Sequence, residues 1–344
     1  MKAIRIHEHG GIDVLRCEEI PEPKCPSNKV KIQIKASALN HLDLWIREGF
    51  PGMPLPLPLT LGSDGAGIIS EVGSEIENWN IGDEVVIQPN VYCGECESCE
   101  RGQENYCDTY GIIGETQNGV QSEYYIAEPN NIYPKAKHLT FEEASSMQLV
   151  FLTSYQMLVT RANLQKSDTV LIYGATSGIG SAAIQIAKDI GATVITTVGA
   201  NSKIEYAKNI GADFVVRHDD ENWVKQVKNI VKKKGVQVIF EHPGEKTWQQ
   251  SMRLLSKGGR VVTCGATTGP LASFDLRHLF MKQQSILGST MSDIKSFKSV
   301  MQKIEMGIYK PFVDKSYPLS DIKKAHQRLE NREQFGKIVL INNY

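Results

Sequence analysis

The sequence predicts an α/β protein: a β-rich first part, then a six-stranded, doubly wound parallel sheet, then a short C-terminal return. Three observations carry that prediction. Beyond about residue 150, six short apolar runs alternate with helical patterns. The first of those runs opens directly into a glycine-rich loop and a helix. Before residue 150, short apolar segments of strand character are separated by Gly, Asn and Asp.

A chain of 344 residues suggests two domains, at roughly 150 residues each. Hydrophobic residues at 41% and charged residues at 22% exclude a disordered or collagen-like chain. Lys and Arg total 38 against 39 Asp and Glu, for a net charge of -1. That balance gives no reason to expect nucleic acid or an anionic membrane as a partner. No apolar run approaches the ~18 residues needed to span a bilayer, and Met1–Ile6 reads as a strand rather than a signal peptide. A cytoplasmic location is expected.

Taken in order, Val30–Lys35 alternates apolar and polar residues as a half-buried strand does. Gly65–Ile69 and Glu84–Ile87 read as further strands. In the intervening segment 53–59, proline at every second position removes ladder donors and predicts an extended surface segment. The six later runs are Val170–Tyr173, Thr193–Val198, Phe214–Val216, Val236–Phe240, Val261–Cys264 and Ile286–Leu287. The last ~50 residues read as a helix and a final strand, Lys337–Ile341. The predicted division is 1–150, 151–290 and 291–344.

The first run leads into Gly174-Ala175-Thr176-Ser177-Gly178-Ile179-Gly180. In the following segment Ile179, Ala182, Ala183, Ile186, Ala187 and Ile190 fall on one helical face. Glycines permit a tight turn and let the backbone approach a pyrophosphate, and the helix start offers N–H groups and a positive dipole end. These seven residues are therefore candidate dinucleotide ligands. After the second run, Val198-Gly199-Ala200-Asn201-Ser202-Lys203 lacks the acid that usually holds an NAD ribose hydroxyl. A carboxylate there would repel a 2′-phosphate. Its absence, with Lys203 and Arg217 nearby, favours NADP, with NAD as the alternative; Gly199 and Ser202 complete this end of the site.

Cys93, Cys96, Cys99 and Cys107 lie within 15 residues. Four soft thiolates so spaced fit a closed tetrahedral zinc site, expected at one ion per subunit, with an iron–sulfur cluster or idle thiols as the alternatives. A closed site leaves no open coordination position, so the metal would stabilise the lobe at 93–107 and take no part in chemistry.

Together these features resemble the medium-chain dehydrogenase/reductase superfamily. The match rests on the cysteine lobe, Gly62-Ser63-Asp64-Gly65-Ala66-Gly67 with Gly73, the loop Gly174–Gly180, and Gly336-Lys337-Ile338-Val339-Leu340. The resemblance implies a GroES-like β-rich catalytic domain, completed by the C-terminal tail, around an inserted Rossmann domain. It also implies a homodimer or homotetramer. Zinc alcohol dehydrogenases of that family hold a catalytic metal at positions corresponding here to Asn40, Ser63 with Asp64, and Leu149. Leu149 offers no ligand, and Asn40 and Ser63 are poor ones. Asp64, His41 and Asp43 are the alternative donors for a different metal site. The segment Ala38–Gly49 instead resembles the zinc-free quinone oxidoreductase branch. Members of that branch usually lack the cysteine lobe, so the chain combines two patterns.

Removing the proton of an alcohol is difficult without a metal to lower its pKa. Hydride addition to a conjugated carbonyl needs only donors that stabilise the enolate oxygen. Reduction of a quinone or α,β-unsaturated carbonyl, a small-molecule substrate, is therefore expected. An NAD(P)-dependent alcohol dehydrogenase and a coenzyme-binding protein without turnover are the alternatives. Asn40, at the vacated metal position, is the candidate donor to the substrate carbonyl, with a turn-forming asparagine as the alternative; His41 is a candidate for the pyrophosphate or a solvated histidine, and Trp45 for the substrate pocket or the core, while the resemblance places Thr153 beside the nicotinamide. It places Gly265, Gly288, Ser289 and Lys337 around the nicotinamide end of the cofactor.

Overall fold

The structure, a computed structural model, describes residues 1–50, 52 and 54–342. It divides into two compact units, one formed by Met1–Leu149 with Asp293–Tyr344 and the other by Val150–Ser292.

In the first unit, the strand Val30–Ala38 lies between Asp64–Val72 on one side and Tyr124–Ala127 with Lys337–Ile341 on the other, all antiparallel to it. The alternating pattern over Val30–Lys35 predicts a half-buried strand; the structure makes it a central one. Lys31 is buried because its ammonium reaches Glu22 and Glu71, the latter at 2.7 Å. Gly67 sits where this central strand passes closest: a Cβ there would lie 2.2 Å from the Gln33 carbonyl oxygen. Ile32, Ile34, Ile69, Val85 and Ile87 pack as one apolar cluster. Burial of each such side chain contributes roughly 1.5–3 kcal/mol before entropy is subtracted.

Met53, within the proline-alternating segment, lies outside the described residues. Leu55 and Leu59 are buried, and Leu59–Thr60 pairs with the start of the chain, Lys2–Ile6. The segment is thus anchored by Leu55 and Leu59, leaves Leu57 exposed, and ends in a two-residue edge strand. The C-terminal part is richer than the sequence pattern suggests. It holds the helix Ile294–Glu305, the strand Val313–Pro318, the helix Ile322–Glu330 and the strand Lys337–Ile341. The last two strands pair in parallel.

In the second unit, six parallel strands run in the order Phe214–Arg217, Thr193–Val198, Thr169–Ile172, Val236–Glu241, Leu255–Thr263, Ser285–Gly288. This is the doubly wound order 3-2-1-4-5-6, with its reversal between Thr169–Ile172 and Val236–Glu241. All six expected runs are strands of this sheet. The helix Gly178–Ile190 buries Ala182, Ala183, Ile186 and Ala187 as the periodicity requires, and Ile184 as well. No helix among the described residues is long and apolar enough to cross a membrane.

Candidate active site and metal centre

The glycine loop Gly174–Gly180 follows directly from the local sequence. Gly174 has φ +67°, a left-handed conformation that glycine adopts without strain. Its N–H donates to Thr197 Oγ1 at 3.1 Å, and Ala175 N–H donates to the Thr197 carbonyl at 3.0 Å. Ser177 caps the helix, accepting from Gly180 N–H at 2.9 Å while its hydroxyl donates to the Gly174 carbonyl at 2.8 Å. A Cβ on Gly180 would stand 2.2 Å from the Gly174 carbonyl oxygen, so only glycine closes the turn. Thr176 is buried within the loop, and Ile179 accepts a bond from the Ser154 hydroxyl at 3.0 Å.

The other expected cofactor residues of this unit gather at the carboxyl ends of the same parallel strands. Gly199 follows Thr193–Val198, Arg217 ends Phe214–Arg217, Gly265 comes soon after Leu255–Thr263, Gly288 ends the edge strand and Ser289 follows it. Open α/β sheets bind ligands at that end, beside the point where strand order reverses. Ser289 N–H donates to the Thr263 carbonyl at 2.9 Å, but its buried Oγ has no partner among the described residues. That orphaned hydroxyl and the glycine turn both fit a dinucleotide. Thr153, on the helix Gln148–Tyr155, is buried with its hydroxyl 3.6 Å from Met291 Sδ. Arg217 holds Asp219 with bonds of 2.5 and 3.0 Å and reaches Asn201 Oδ1 at 3.0 Å. It therefore braces the loop that carries Ser202 and Lys203. His242 was not among the expected residues of this end of the sheet. It stands just past the strand Val236–Glu241, with Nε2 3.0 Å from the Tyr173 carbonyl. Its position at the carboxyl end of a strand flanking the reversal was the available signal.

His41 and Lys337 belong to the first unit, with Asn40 and Trp45. Asn40 caps the helix His41–Glu48, its N–H donating to Asp43 Oδ2 at 2.7 Å. Its Nδ2 donates to Asp64 Oδ2 at 3.0 Å, and its Oδ1 accepts from the Lys337 ammonium. Lys337 Nζ lies 3.0 Å from Asp64 Oδ2, and Leu149 N–H donates to Asp64 Oδ1 at 2.9 Å. Asn40, Asp43, Asp64 and Lys337 are all buried. Lys337, expected beside the nicotinamide end of the cofactor, has Asn40 and Asp64 as partners within its own unit. Its ammonium is committed to Asp64 and Asn40, because a buried cation requires a buried counter-charge. The Trp45 ring is half-buried, edge-on to His41 at 5.0 Å and to Phe50 at 6.2 Å.

A catalytic metal does not fit this cluster. Leu149 contributes only its backbone, Asp64 is taken by an ammonium and two N–H donors, and the Ser63 hydroxyl is buried without a partner among the described residues. Asp64, His41 and Asp43 do not converge as ligands. Among the described residues, Cys93, Cys96, Cys99 and Cys107 form the group that does, with all Sγ atoms within 4.8 Å of one another. Cys96–Cys99 and Cys93–Cys107 Sγ separations are 3.5 Å, and Cys93–Cys99 is 4.0 Å. A tetrahedron with Zn–S bonds of about 2.3 Å has edges of about 3.8 Å, so the four thiols fit zinc. Backbone N–H groups of Cys93 and Cys96 point at Cys107 Sγ and Cys93 Sγ, at 3.3 and 3.4 Å, as thiolates require.

Residues 26–137 match the family model of the alcohol dehydrogenase GroES-like domain, and residues 178–306 that of the zinc-binding dehydrogenases. A crystal structure of an NAD-dependent alcohol dehydrogenase superposes with a TM-score of 0.94 at 39% identity, covering 100% of both chains. The crotonyl-CoA carboxylase/reductase of Cereibacter sphaeroides is 30% identical over 98% of this chain and 86% of its own length. The quinone oxidoreductase of Mus musculus is 30% identical over 99% of this chain and 98% of its own.

Proposed function

The chain belongs to the medium-chain dehydrogenase/reductase superfamily of oxidoreductases, and on that premise we propose that it reduces quinones or α,β-unsaturated carbonyls with NADPH, without a catalytic zinc. The observation that carries this reading is the closed bonding of Asn40, Asp64, Leu149 and Lys337 at the positions where zinc dehydrogenases hold their metal. Bound NADPH would supply a hydride to the β-carbon of the acceptor.

The chain's own residues have five tasks. Gly174–Gly180 and the start of the helix Gly178–Ile190 hold the pyrophosphate against backbone N–H groups and a positive dipole end. Asn201, Lys203 and Arg217 carry the 2′-phosphate, where no acid on the loop 198–203 repels it. Asn40 has a second Nδ2 hydrogen beyond the one given to Asp64, and offers it to the substrate oxygen on which enolate charge develops. Thr153 keeps the nicotinamide in place. The four cysteines hold one structural zinc, which takes no part in the reaction.

The similarity to the NAD-dependent alcohol dehydrogenase favours a second reading, alcohol oxidation. Turnover of benzoquinone and crotonyl-CoA with NADPH, compared with butanol and NAD under chelation, separates the two. Enone or quinone reduction with weak alcohol oxidation is the expected result. Alcohol oxidation without enone or quinone reduction overturns the proposal.

A further inference from the structure

Resting on the reading of Asn40 as donor to the substrate oxygen, we infer that Lys337 and Asp64 are positioning residues that lock the Asn40 carboxamide in one orientation. The sheet register brings the three together. Ala38, two residues before Asn40, pairs with Asp64 on one side and with Val339, two residues after Lys337, on the other. The chemistry then fixes the amide. An ammonium only donates and a carboxylate only accepts. Asn40 Oδ1 takes the Lys337 ammonium, and Nδ2 gives one hydrogen to Asp64 Oδ2. A flipped carboxamide would set N–H against ammonium and carbonyl oxygen against carboxylate, losing both bonds.

The partners of Asn40 are themselves held. Lys337 Nζ is 3.0 Å from Asp64 Oδ2, and Asp64 Oδ1 is held by Leu149 N–H at 2.9 Å. The Asn40 backbone is held through Asp43 at 2.7 Å. Both the direction and the strength of the remaining N–H are affected. A cation bound to the amide oxygen polarises the group and makes its N–H a better donor. A donor preorganised in this way needs no reorganisation when charge develops on the substrate. Lys337 thus acts through Asn40.

The test has an activity-free arm and a kinetic arm. With selective ¹⁵N-asparagine labelling, the Asn40 side-chain resonances are identified by their loss in Asn40→Ala. Their hydrogen exchange is expected to be slow in the wild type and in Lys337→Arg, and at least tenfold faster in Lys337→Met. Equal exchange in Lys337→Met overturns the inference. In the kinetic arm, with NADPH and benzoquinone or crotonyl-CoA, Lys337→Met is expected to lower kcat while the NADPH Kd stays unchanged. Asn40→Ala/Lys337→Met should be no slower than Asn40→Ala alone, because the lysine acts through the asparagine. Additive losses, or weakened NADPH binding with kcat intact, overturn the inference. Full kcat in Asn40→Ala overturns the donor reading instead and leaves the exchange measurement to judge the positioning. If Lys337→Met fails to fold, Lys337→Met/Asp64→Asn removes both charges and serves both arms.

Discussion

Lys337 Nζ lies 3.0 Å from Asp64 Oδ2, and both groups are buried although 273 residues separate them in sequence. The pair is an internal salt bridge whose desolvation offsets much of its Coulombic gain, so its value lies more in fixing geometry than in stability. Breaking it from one side would leave a lone buried charge. Asp64→Ala should therefore destabilise the protein by roughly 3–5 kcal/mol. Urea titration checks this, and a loss under about 1 kcal/mol would contradict the burial of the pair.

The purified protein should hold about one zinc per subunit, bound by the four cysteines. Serine at Cys96 or Cys99 should release it and lower Tm before it alters kcat. Elemental analysis and thermal melting check this. Two tightly held zincs, one of them lost on Asp64→Ala, would contradict it.

NADPH should bind more tightly than NADH, roughly tenfold or more, since charge-assisted bonds to a phosphate contribute about 1.5–3 kcal/mol each. Gly199→Asp should reverse the preference by repelling the phosphate and accepting from a ribose hydroxyl. A Cβ at this position would lie 3.1 Å from His218 Nε2, so the imidazole must shift slightly. Fluorescence titration of both cofactors reads the result directly.

Asn40→Ala should lower kcat by roughly 10- to 1,000-fold with little change in NADPH affinity. Thr153→Val should act differently, because it removes the hydroxyl that meets Met291 Sδ and loosens the expected nicotinamide seat. Steady-state kinetics beside direct cofactor binding distinguishes the two variants.

Burial pushes the Asp43 carboxyl up from 3.8 to about 6, and the nearby Asp64 charge adds to the shift. Backbone N–H groups of Asn40 and Gly62 and the Lys337 ammonium oppose it. The folded state therefore holds this proton more tightly than the unfolded chain does. The associated stability is full below the unfolded value and is lost as pH rises through about 6. Against Asp43→Asn, the wild type should lose about 2 kcal/mol between about pH 4 and pH 6. Urea titrations across that range check the slope, and parallel curves for the two proteins would refute it.

The sequence by itself determined the parts that depend on neighbours in the chain. Strand, glycine turn and helix follow one another between Thr169 and Ile190, so local periodicity and the demand for φ > 0 at Gly174 made the glycine loop legible. The six apolar runs gave the parallel sheet for the same reason, and the spacing of Cys93, Cys96, Cys99 and Cys107 brought four thiols within reach of one ion. Tertiary structure alone decided what pairing across the sheet creates. Val30–Lys35 looked half-buried because its alternation does not reveal that strands flank it on both sides. His242 and the orphaned Ser289 hydroxyl owe their places to strand order. Strand register likewise carries the Lys337 ammonium to Asp64 and Asn40, a pairing its local motif does not show. A buried charge takes the partner that folding brings to it, and no local pattern encodes that partner.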